Sequence, residues 1–112
     1  MAIAPGVFND TLQRRADYGI QLQFLDSSET AINLTGWTVQ MQVWNKLRTT
    51  KYADAAVSYT DRINGTVDIL LTDADTATFP AEVYYDVLLI NPSGLREYYL
   101  EGIFYMSEGY TA

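Results

Sequence analysis

Val83-Tyr84-Tyr85-Asp86-Val87-Leu88-Leu89-Ile90-Asn91-Pro92-Ser93-Gly94-Leu95-Arg96-Glu97-Tyr98-Tyr99-Leu100-Glu101-Gly102-Ile103-Phe104-Tyr105-Met106 decides the fold. Its centre, Asn91-Pro92-Ser93-Gly94, is a turn: proline presets one backbone dihedral and glycine relaxes another. Residues of period two flank it. Tyr85, Val87 and Leu89 share one face of the first arm, with Asp86 opposite. Leu100, Gly102, Phe104 and Met106 share one face of the second. Alternation of this kind, rich in β-branched and aromatic residues, marks strands. The stretch therefore reads as an antiparallel hairpin.

The same period recurs outward from it. Ile20, Leu22 and Phe24 alternate with Gln21 and Gln23. Trp37, Val39, Met41 and Val43 alternate with Thr38, Gln40 and Gln42. Val67, Ile69 and Leu71 form a third apolar row, and Ala55, Val57 and Tyr59 a weaker fourth. Asp26-Ser27-Ser28-Glu29 is a polar turn, and Asn64-Gly65 is a tight turn whose glycine supplies positive φ. Thr72 or Asp73 can cap a short helical turn that Pro80 ends, with Phe79 tucked under the sheets. Asn45 to Lys51 reads as a polar loop. These runs predict an all-β, two-layer antiparallel β-sandwich, Ig-like or jelly-roll-like, with six to eight strands and one short helical turn near 73–79. Residues 17–112 make one domain. Residues 1–16 are an edge strand, or an arm that orders on a partner.

Composition narrows the function. The 112 residues suffice for one core without staples. Cysteine and histidine are both absent, which removes disulfides, thiolate metal sites and the commonest general base and zinc ligand. A net charge of −7 opposes binding to a phosphate backbone, so no nucleic-acid partner is expected. No run of about 18 apolar residues is present, so no membrane insertion is expected. The first residues lack a signal peptide's basic and apolar regions, so synthesis in a cytoplasm is expected.

Chemical motifs are missing where catalysis needs them. Asp73 and Asp75 have the spacing of an ion-binding loop but lack its glycine and distal glutamate, and helix capping explains Asp73 more simply. Glu97 and Glu101 lie on one strand, whereas a paired-carboxylate glycosidase site spans a cleft. No nucleophile elbow, phosphate-binding glycine loop or zinc-binding helix is found. No enzyme, cofactor or metal is expected.

Aromatic placement is more informative. Trp37 fits the core face of its strand and Trp44 falls on the opposite face. Tyr84, Leu88 and Ile90, with Ile103 and Tyr105, lie opposite the core row of the hairpin. The hairpin is thus apolar on both faces. Either the N-terminal arm or loops cover the second face, or that face is a protein–protein interface. The interface candidates are Phe8, Leu12, Trp44, Tyr84, Leu88, Ile103 and Tyr105.

The order of motifs carries a resemblance. Ile32-Asn33-Leu34-Thr35-Gly36-Trp37 precedes a long strand and a variable loop. Gly65-Thr66-Val67-Asp68-Ile69-Leu70-Leu71 follows, then Val83-Tyr84-Tyr85-Asp86-Val87, and last Leu100-Glu101-Gly102-Ile103-Phe104. Over roughly residues 18–108 this resembles small β-sandwich structural proteins of tailed bacteriophages. It is similar to the N-terminal domain of phage baseplate upper proteins, which anchors receptor-binding parts. The resemblance implies a virion protein of the tail, baseplate or fibre attachment, made in the bacterial host's cytoplasm. Its partners would be other phage structural proteins and copies of itself in a symmetric assembly. A head-decorating cement protein and a carbohydrate-binding module for the host surface are the alternatives.

Overall fold

The computed structural model describes residues 6–108. Nine strands are found there: β1 (Gly6–Val7), β2 (Asp10–Gln13), β3 (Tyr18–Gln23), β4 (Thr38–Trp44), β5 (Lys51–Asp54), β6 (Ala56–Asp61), β7 (Thr66–Leu71), β8 (Glu82–Ile90) and β9 (Arg96–Ser107). One short helix, α1 (Asp73–Thr76), lies between β7 and β8. The strands form a six-stranded sheet, ordered β1-β9-β8-β4-β5 with β2 also on β9, and a three-stranded sheet, ordered β3-β7-β6. The protein is an all-β sandwich.

Alternation places the core between the sheets. Val39, Met41 and Val43 of β4, Val83, Tyr85, Val87 and Leu89 of β8, and Phe104 of β9 are buried from one side. Val67, Ile69 and Leu71 of β7 are buried from the other. Phe24, Leu34 and Phe79, all essentially inaccessible, close the ends. Burial of this row supplies the main driving force, roughly 1.5–3 kcal/mol for each large side chain. The helical turn forms as the sequence predicts. Thr72 accepts from the backbone of Asp75 while Asp75 accepts from that of Thr72, a reciprocal capping box. The fully buried Thr76 donates its hydroxyl to the Ala16 carbonyl at 2.9 Å, so no polar group is stranded there.

Turns hold the sheets together at one end. Gly65 (φ 68°) sits where a Cβ would meet the Ile32 carbonyl oxygen at 2.6 Å, so only glycine fits. Arg62 donates to the carbonyls of Leu34 and Trp37, both at 3.0 Å, and its guanidinium lies 3.7 Å from the centre of the Tyr59 ring. Replacing Arg62 with leucine removes the donor to the Trp37 carbonyl, leaves the Leu34 carbonyl with only the Trp37 N–H, and removes a cation–π contact. We expect a loss of about 2–4 kcal/mol, read as a lower denaturant midpoint. An unchanged midpoint would show that the 34–37 turn holds without it.

Three features differ from the sequence reading. β5 was not anticipated: it starts at Lys51, the last residue of the presumed loop, after a tight turn over 45–50, organised by Asn45, returns the chain onto β4. With it and the two short N-terminal pieces, the strand count exceeds the six to eight expected. The N-terminal segment is an edge strand, and it pairs with β9 in parallel rather than antiparallel. Residues 1–5 of that segment lie outside the described residues. Finally, β9 carries a bulge: Val87 pairs with Leu100 but Leu88 pairs with Tyr98, leaving Tyr99 extra. A one-residue bulge reverses the faces beyond it. Tyr99 turns inward onto Phe24, ring centres 4.7 Å apart, and Tyr98 turns outward, about half exposed.

The β1–β2 edge is a single line of chain interrupted at Phe8-Asn9, which arches over Gly102. Phe8 donates its N–H to the Glu101 carbonyl at 2.9 Å, and the Asn9 side chain accepts from the Ile103 N–H at 2.9 Å. The Tyr85 ring stacks on Phe104 at 4.2 Å, and its hydroxyl donates to the Phe8 carbonyl at 2.6 Å. Burial, with Asp10 adding to it, raises the Tyr85 hydroxyl from the usual 10.0 to about 12. The stability that the raised pKa contributes is therefore fully present below about pH 10 and lost as pH rises through about 12. Wild-type protein should lose stability steeply across that window, with this tyrosine ionising only as the fold opens. Tyr85→Phe should start about 1 kcal/mol less stable at neutral pH and lose less on alkalinisation. Denaturation midpoints measured with tyrosinate absorbance check both; identical slopes for the two proteins would refute the assignment.

Candidate functional site

The outer face of the six-stranded sheet is built in rungs. Backbone pairing sets Trp44 beside Tyr84 and Tyr84 beside Ile103. The next rung runs Asp54, Gln42, Asp86, Glu101 across β5, β4, β8 and β9. The rung beyond holds Gln40, Leu88 and Tyr98. Successive rungs lie roughly 6.6 Å apart, because outward side chains recur every second residue. An aromatic rung, a carboxylate–amide rung and a mixed rung therefore follow one another across the face.

This face is concave. A groove of about 500 Å³ opens on it, with Trp44, Tyr84, Leu88, Tyr98 and Ile103 among its apolar walls. The 45–50 turn forms one lip, and it carries Arg48 (φ 56°). Arg48 sits 5.5 Å from the Trp44 ring centre, a cation–π distance. Trp44 donates its indole N–H to Gln42 at 3.0 Å, which fixes the ring. Val7 on β1 forms part of the opposite lip.

The groove floor carries an electrostatic cost that is only partly offset. Asp86 and Glu101 face each other directly across β8 and β9. Like charges in that position oppose one another. Burial raises the Asp86 carboxyl above the usual carboxylate range; Arg48 counters this and Glu101 adds to it. Among the described residues, neither carboxylate is in an ion pair or accepts a hydrogen bond from a side chain or backbone donor. Gln40, exposed on the next rung, has no side-chain hydrogen bond there either. These groups do not converge into a cluster that could hold a metal ion. They are acceptors and donors turned toward the groove.

The seven residues singled out from sequence divide. Trp44, Tyr84, Leu88 and Ile103 meet in the groove. Leu88 is only 6% exposed, so it is floor rather than a projecting contact. Tyr105 lies beyond the groove on the same face, 41% exposed, and Phe8 projects from the arch over Gly102, 42% exposed. Leu12 is a core residue and not a surface one. It is 2% exposed and faces the core, because β2 aligns it with Met106. The N-terminal segment extends the sheet at its edge and does not cover the outer face. Sequence reading missed Tyr98, because strict alternation from Leu100 puts it inside. The run Tyr98-Tyr99-Leu100, three large side chains in succession, was the signal of a bulge. It also passed over Gln40, Gln42 and Asp86, and weighed Glu101 only as a partner of Glu97; these look like solvated positions until the groove brings them together.

Compared with known proteins, the chain matches no family model, and no curated protein is significantly similar to it.

Proposed function

We propose that this chain is a non-catalytic binding and assembly module of a tailed-bacteriophage particle: a tail, baseplate or fibre-attachment protein present in several copies. The observation that carries the reading is that two neighbouring turns at one end of the sandwich expose large apolar side chains while the outer sheet face bears a groove. The turns at 62–65 and 91–95 both abut the 32–37 segment, through Arg62 on Leu34 and Trp37 and through Pro92 beside Gly36. They carry Ile63 and Leu95, 69% and 66% exposed. Large apolar side chains left in water at one end suit attachment to neighbouring subunits. The groove lies on the sheet's outer face and is free for recognition.

The resemblance supports the same division. Its Leu34-Thr35-Gly36 and Gly65-Thr66-Val67 motifs meet at the apolar end, where Leu34 donates to the Arg62 carbonyl at 2.7 Å. Its Tyr85-Asp86 and Leu100-Glu101-Gly102 motifs meet at the groove and arch, where Tyr85 pairs with Gly102. A closed ring or trimer would use one such end repeatedly. Mass spectrometry of fractionated particles tests the reading. The chain is expected in tail fractions at a fixed small copy number. Recovery from heads alone would make it a cement protein, and absence from particles would refute both.

A further inference from the structure

We propose that the groove on the outer face of the six-stranded sheet is a saccharide-binding site. The inference deepens the reading above and rests on it only for the groove's role as the recognition face.

The chemistry of the lining selects the ligand class. A groove of about 500 Å³ falls within the range of roughly 300–1,000 Å³ typical of small-ligand sites. Its aromatic groups, Trp44 and Tyr84 on one rung and Tyr98 two rungs away, are about 13 Å apart along the strands. That spacing suits a chain of sugar rings rather than one. The C–H faces of sugar rings pack on aromatic faces, and their hydroxyls need paired acceptors and donors between those platforms. Asp86 and Glu101 stand there, and Gln40 on the Tyr98 rung, with that capacity unused. Hydroxyl groups donate to a carboxylate strongly, and they add no counter-charge.

Charge and geometry disfavour other occupants. Two carboxylates, Asp86 and Glu101, stand against three cations, Lys46, Arg48 and Arg96, around the same groove; with signs so mixed and a net excess of one positive charge, neither a cation nor an anion is strongly selected. A protein segment would meet a floor of facing carboxylates, whereas the cores of protein interfaces are depleted in charge. Nor can a peptide add as a strand here. The groove lies over β4, β8 and β9, each paired on both sides. The cost of holding Asp86 half-buried beside Glu101 finds a use if a hydroxyl-rich ligand satisfies both.

The test is an array of neutral and anionic bacterial-surface oligosaccharides, followed by calorimetric titration with the strongest neutral binder. Binding to at least one neutral oligosaccharide is expected. Trp44→Ala, Tyr98→Ala and Asp86→Ala should each weaken it at least about tenfold. Tyr98 is half exposed and Asp86 is an electrostatic liability, so those two variants should fold even if Trp44→Ala does not. Failure to bind any saccharide on the array would overturn the inference. So would binding undiminished in Tyr98→Ala and Asp86→Ala, or binding restricted to anionic saccharides and abolished by salt. A neighbour's polypeptide seated in the groove would also overturn it. The two readings fail separately: protein absent from particles that still binds saccharide refutes only the virion assignment, and a tail protein that binds none refutes only this one.

Discussion

Replacing Gly102 with alanine should destabilise the protein by about 3 kcal/mol or more, near the upper end for overpacking substitutions. A Cβ at this position would stand 1.8 Å from the Phe8 carbonyl oxygen and 2.9 Å from the Tyr85 ring. The nearer contact is with backbone, so no rotamer change relieves it. The arch at Phe8-Asn9 has to lift. Lifting it breaks the hydrogen bond from Tyr85 to Phe8, the one from Phe8 to Glu101 and the one from Ile103 to Asn9. Each is worth about 1 kcal/mol, and more where a buried partner is stranded. Chemical denaturation gives the magnitude. Amide exchange should quicken first at Phe8 and Ile103. A change below about 0.5 kcal/mol, the range of ordinary surface substitutions, would show that the arch moves freely and is not part of the fold.

Removing residues 6–13 should have the larger effect. The segment supplies Leu12, 2% exposed, to the core. It also satisfies the outer backbone edge of β9 from Leu100 to Ser107. Asp10 accepts the Tyr18 hydroxyl at 2.7 Å, and Tyr18 packs edge-on against Phe104 at 5.4 Å. Loss of a buried leucine alone costs about 2–5 kcal/mol. A small domain has only about 5–15 kcal/mol in all. With the ladder gone as well, the truncated chain should be largely unfolded or aggregated at room temperature, since the bared β9 edge is a template for pairing. Leu12→Ala isolates the core share of that loss. A truncated monomer with the wild-type thermal midpoint would mean that β1 and β2 merely decorate the edge.

These two expectations also mark where sequence reading stopped. The β8–β9 hairpin, β4 and β7 were legible because their residues alternate over enough positions for one face to be unmistakable. The turns at 91–94 and 64–65 were legible because proline and glycine perform backbone tasks that other residues do poorly. β5 was not, because Lys51-Tyr52-Ala53-Asp54 is too short to show a period. The N-terminal segment was left open between strand and arm, because Leu12 alone does not establish a face. Gly102 reads as one more small residue in an alternating row, and nothing local says that a chain crosses above it.

The candidate site was half legible for a related reason. Trp44, Tyr84 and Ile103 stood out because apolar residues on a second face need an explanation. Polar members of a groove carry no such mark. Asp86 and Glu101 look ordinary until strand register sets them opposite each other, and Tyr98 changes face only because Tyr99 bulges. Register is a property of strand pairing, and pairing joins residues distant in the chain.

The proposed virion role is tested most directly by a density map of intact tailed-phage particles purified from a lysate in which the chain is detected. The account predicts the sandwich in the tail, with the Ile63 and Leu95 turns against a neighbouring subunit and the Trp44–Tyr84–Tyr98 groove open to solvent. A map without the chain, or with that groove buried under a neighbouring polypeptide, would contradict it.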